Sequence, residues 1–135
     1  MLEYEIPSQW TEVFNMVDGI GNLLRTDAIS KNFNPPAEYR RQLNIATGCY
    51  MYLVVEYKKY RAIKENNEVS KYVSIKNEQT VKFVSASTER EASAFVAKER
   101  YYRDLIEGWM LASESAIYTI KKHLDVDTKE ERLPE

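Results

Sequence analysis

The chain has 135 residues and a mass of 15.8 kDa, which is room for one domain with one core and argues against separate catalytic and regulatory units. Its 44% hydrophobic and 30% charged residues exclude a disordered protein, and its four glycines and four prolines are too few for the many turns of a sandwich or barrel. The net charge of −2 averages over a segregated chain: residues 39–82 carry nine cations against four acids, an excess of +5, whereas residues 1–31 and 125–135 each stand at −3.

Ser8 after Pro7 reads as the N-cap of a first helix over 8–31, with Trp10, Val13, Val17, Ile20 and Leu24 at spacings of three and four on one buried stripe. Gly19 and Gly21 each weaken that helix by about 1 kcal/mol relative to alanine. Asn34-Pro35-Pro36 stops the chain, because a residue before proline avoids the helical region, and the second proline suits the first turn of a new helix. A second helix over 36–66 follows, with Leu43, Ala46, Tyr50, Leu53, Tyr57 and Tyr60 on one strip and Ile45, Tyr52 and Val55 on another. A helix apolar on two sides has at least two neighbours. Asn66-Asn67 is a natural end for it.

Residues 69–84 admit two arrangements. Val73 and Ile75 alternate with Ser74 and Lys76, and Val81 and Phe83 flank Lys82, as a short β-hairpin requires; the other arrangement is a helix continuing past Asn67 into an extended connector. Thr88 and Glu91 fit a capping box, and Ala92, Phe95, Tyr102, Ile106, Trp109, Ala116 and Ile120 mark the stripe of a long helix over 88–124. Residues 125–135 read as a charged, frayed tail. The fold class is therefore all-α: an elongated bundle of three main helices, with a hairpin or connector at about 70–84. So long a third helix with so many aromatics calls for a second copy of the chain, which assigns Phe95, Tyr102, Ile106, Trp109 and Ile120 to a homo-oligomer interface.

The lone cysteine, Cys49, cannot make an intramolecular disulfide, the N-terminus lacks the pattern of an export signal, and no apolar run reaches the roughly 20 residues of a membrane span. A cytoplasmic protein is expected. A single histidine, His123, excludes a multi-histidine zinc site and reads as a last-turn cation at a helix C-terminus. Glycine-rich phosphate loops are missing, and Cys49 among apolar neighbours reads as a structural thiol. The pairs Glu65/Glu68 and Asp104/Glu107 have the spacing with which all-helical nucleotide pyrophosphohydrolases hold magnesium, which keeps a hydrolase as one alternative. No cofactor is called for.

The remaining constellation is Tyr57-Lys58-Lys59-Tyr60-Arg61 with Lys64, Lys71, Tyr72, Lys76 and Lys82. Cations neutralise phosphates and tyrosines stack on bases, so these seven lysines and arginines are the candidate nucleic-acid-binding set; from the residues alone a solvated face whose tyrosines belong to the core is the simpler reading of them. From Tyr57–Lys64 through Lys82-Phe83-Val84-Ser85-Ala86-Ser87 to Tyr101-Tyr102-Arg103 and Ile117–Lys122, the layout resembles the UvsY-type recombination mediators of tailed phages. That resemblance, over roughly 40–124, implies a non-enzymatic helical oligomer in the host cytoplasm. It further implies contact with single-stranded DNA through Lys58, Lys59, Arg61 and Lys64, and a RecA-like recombinase or single-strand-binding protein as partner. The alternative from another class is a phage inhibitor or assembly factor that binds protein and not nucleic acid.

Overall fold

A computed structural model describes residues 4–78 and 85–132. Among them are four helices and no strand: α1 (Ser8–Ser30), α2 (Pro36–Glu78), α3 (Ser85–Phe95) and α4 (Ala97–Arg132). The all-α class holds, with one helix more than expected. None of these helices is long and apolar enough to cross a membrane. The chain groups into two compact units, Glu5–Val54 with Gly108–Glu135 and Met1–Tyr4 with Val55–Glu107; they are called here the α1 unit and the α3 unit.

The α1 unit is built on helical periodicity. Trp10, Phe14, Val17, Ile20 and Leu24 are buried along α1, and Ile20 and Leu24 join Tyr39 and Ala46 of α2 and Ala116 and Ile120 of α4 in one core. Each large side chain so buried contributes about 1.5–3 kcal/mol. Phe14 stacks on Trp109 with centroids 4.8 Å apart and planes 8° from parallel. Ser8 is not the N-cap: it is the first helical residue, and Pro7, extended at ψ 141°, holds the cap position without a side-chain bond. The Pro7 carbonyl accepts the Trp10 N–H at 3.0 Å instead.

α1 stops at Lys31, whose φ of 56° and ψ of 27° are left-handed. The corner to α2 is fastened by Asp27, a buried carboxylate that accepts hydrogen bonds from Asn34 Nδ2 and Tyr39 Oη, each at 2.8 Å. Burying a carboxylate is costly unless its oxygens are met, and here two donors from beyond the helix meet one of them. His123 stacks on Tyr39, centroids 5.0 Å apart. It is not a last-turn cation, because α4 runs on to Arg132.

α2 does not end at Asn66-Asn67, and the hairpin expectation fails where the structure describes the chain: residues 69–78 are helical. The second arm, Val81 to Phe83, lies outside the described residues. Asparagine costs a helix interior only about 0.7 kcal/mol, and neither glycine nor proline stands between Cys49 and Glu78 to break the ladder. The ion pair Lys64–Glu68 straddles the asparagines and Arg61–Glu65 lies just before them, both at a spacing of four, and each adds a few tenths of a kcal/mol. Ile75 is buried while Val73 is exposed, as a period of 3.6 demands and a period of 2 forbids. Val55, expected on an apolar strip, is likewise exposed.

The expected helix over 88–124 is two helices joined at Val96, a residue with no solvent exposure. Arg100 makes the joint. Its Nη2 donates to the Ser93 carbonyl at 3.1 Å and to the Ser93 hydroxyl, meeting a carbonyl that the end of α3 leaves without a helical partner. Its N–H bonds the Val96 carbonyl at 2.9 Å and opens α4. Thr88, read as a cap, lies inside α3 and is buried. Residues 125–132, expected to fray, continue α4; 133–135 fall outside the described residues. No glycine or proline interrupts the chain before Pro134, and Asp125 and Lys129 have the spacing that supports a helix.

Candidate nucleic-acid interface

The α3 unit holds every described candidate cation, and α2 carries them all. At about 100° per residue, Lys58, Arg61 and Lys76 share one side of α2, Lys64 and Lys71 lie on the adjoining side, and Lys59 points away from both. Lys58, Lys59, Arg61 and Lys76 are exposed, and Lys82 lies outside the described residues. Not all of this charge is at liberty. Arg61 is 3.3 Å from the Glu65 carboxylate and Lys64 is 3.5 Å from that of Glu68.

Behind the cations the tyrosines divide into core and surface. Tyr60 is half-buried, meeting Tyr102 edge-on at 5.4 Å with Lys59 Nζ 5.5 Å from its ring centre, and Tyr4 packs against Tyr101 and Tyr102. Tyr72 instead lines an open groove of about 530 Å³ together with Lys64, Glu68, Glu89, Ser93 and Arg100, with Val69 and Ala92 as its apolar lining. Phe95 is 57% exposed, with Lys71 Nζ 5.1 Å from its ring centre. An ammonium held over an exposed aromatic ring offers a phosphate partner next to an aromatic surface on which a base can stack.

Three residues assigned to an interface between copies are inside the single chain: Tyr102, Ile106 and Ile120 are buried. Tyr102 is covered by the other tyrosines and Ile120 by the α1-unit core, so neither has a face left for a second copy. Trp109 is half-buried against Phe14. Phe95 alone of the five is open to solvent.

The acids do not assemble. Glu65 is tied to Arg61 and Asp104 to Arg103, and among the described residues no group of three or more histidine, cysteine or acidic side chains could hold a metal. Burial pushes the Cys49 thiol up from its ordinary pKa, against nucleophilic use. Sequence reasoning missed Arg100, Ser93 and the part of Glu68 that faces Arg100 at 3.7 Å. The Lys64–Glu68 spacing could have flagged the acid; nothing local flags a contact made across thirty-two residues of chain. Comparison with family models, curated proteins and solved structures gives no match.

Proposed function

We propose that this chain binds single-stranded DNA as a non-enzymatic recombination mediator of the UvsY type, helping a RecA-like recombinase onto the strand. The observation that supports the DNA contact is the exposed Phe95 ring with the Lys71 ammonium over it, in the unit that also presents Lys58, Lys59, Arg61 and Lys76 to solvent. A flexible strand can lay its phosphates along cations and a base on an aromatic face without sequence preference. The recombinase or single-strand-binding partner rests on the resemblance alone. Self-association, if the mediator assembles, has to use surface other than Tyr102, Ile106 and Ile120.

Fluorescence anisotropy with a labelled oligothymidylate tests the proposal. Binding should fall with salt by a slope of about −0.7 per phosphate contacted. Lys58→Ala with Arg61→Ala should weaken binding roughly tenfold and flatten that slope by about 1.4. Salt-insensitive binding, or none, rejects it. One feature favours a protein-binding factor instead: Val55, Val69 and Val73 are exposed on one side of α2. Such a factor would form a stoichiometric complex with a protein and ignore the oligonucleotide.

A further inference from the structure

Lys64 and Arg100 converge on one carboxylate, that of Glu68, from different helices: Lys64 Nζ at 3.5 Å from Oε1 and Arg100 Nη2 at 3.7 Å from Oε2. Both distances exceed the 2.7–2.9 Å or so of a charge-assisted hydrogen bond, so the carboxylate is held by the field of two cations and not by tight bonds. The cations themselves are held in place independently of it. Arg100 is anchored by the carbonyl and hydroxyl of Ser93, and the Lys64 side chain is only 16% exposed. Partial withdrawal from water strengthens the attraction such a pair exerts on any anion. The pair opens onto the groove that Tyr72 lines.

We propose that Lys64 and Arg100 form a seat for one phosphate of the bound strand and that Glu68 is its built-in competitor, occupying the seat until the strand displaces it. The inference rests on the strand-binding function above and assigns its regulation. Displacing Glu68 leaves a carboxylate to be neutralised by solution cations, which offsets the counterions released from the strand; Glu68 therefore lowers affinity and flattens the salt dependence together. Glu89 also lines the groove, is exposed on α3 and acts on an incoming phosphate only through space.

Oligothymidylate titrations over a range of salt, with the full chain, decide it. Glu68→Gln should bind about fivefold to tenfold tighter than the wild type near 0.1 M salt, with a slope steeper by about 0.7 to 1.4. Lys64→Met should abolish that gain when combined with it, whereas the gain should add independently to Lys58→Ala. Glu89→Gln should tighten binding by about twofold or less, because its charge is screened by solvent. Glu68→Asp, which shortens the reach of the carboxylate, should move affinity the same way by a smaller factor and serves if Glu68→Gln loses its cooperative melting transition. Equal gains from Glu68→Gln and Glu89→Gln reduce the effect to net charge and overturn the seat. Wild-type binding with no gain from Glu68→Gln overturns the seat and leaves strand binding standing. Absence of binding by every variant overturns both.

Discussion

The two units are stabilised by different means. In the α1 unit an aliphatic and aromatic core gathers Ile20, Leu24, Tyr39, Ala46, Ala116 and Ile120, and its buried carboxylate accepts two hydrogen bonds from side chains of the same unit. The α3 unit packs tyrosines against one another, and it leaves a valine row, a phenylalanine and most of the candidate cations in solvent. A chain this short can assign folding free energy to one region and a contact surface to another. Residues of similar type then carry different consequences according to the unit that holds them.

Substitutions can break that contrast. The largest expected effect is Ile120→Ala: a side chain without solvent exposure leaves a cavity on truncation, at a cost of about 3 kcal/mol read by denaturant unfolding. Next comes Asp27→Ala, which removes the carboxylate that accepts from the buried Tyr39 hydroxyl and should cost about 2 kcal/mol; Tyr39→Phe should cost less, and the double variant Asp27→Ala with Tyr39→Phe less than the sum, because the two share one interaction. Smallest in stability is Phe95→Ala, within about 0.5 kcal/mol of wild type because the ring is exposed. That same change should weaken oligonucleotide binding about tenfold by anisotropy, through the lost stacking face. Should Phe95→Ala destabilise as Ile120→Ala does, the division between a folding region and a contact region fails.

What the sequence made legible follows from periodicity and its interruptions. The α1 stripe was readable because Trp10, Val17, Ile20 and Leu24 keep a period near 3.6, although Val13, expected on it, is half-buried and Phe14 is buried in its stead. Asp27, in phase with them and buried, was not, since its partners Asn34 and Tyr39 stand seven and twelve residues further along the chain. The break at Val96 has a sharper lesson. Thr88, Ala92 and Val96 are buried four residues apart, but the next buried residue is Tyr102, six residues on and about 240° around an unbroken helix. Assuming one helix forces Phe95 into the stripe to preserve phase; the joint resets the phase and Phe95 turns outward. For the candidate site, the cations were visible as composition, whereas the Arg100 link to Glu68 and Ser93 depends on a fold that brings distant segments together.

The corner after α1 is formed by a lysine and not by a glycine. Lys31 sustains a left-handed backbone that costs an L-residue about 1–2 kcal/mol, so the native corner carries an unrelieved penalty that the anchoring of its flanks outweighs. It is consequently a reserve of stability: relaxation at this one position can offset losses incurred while a binding surface on the other unit is altered by selection or by design.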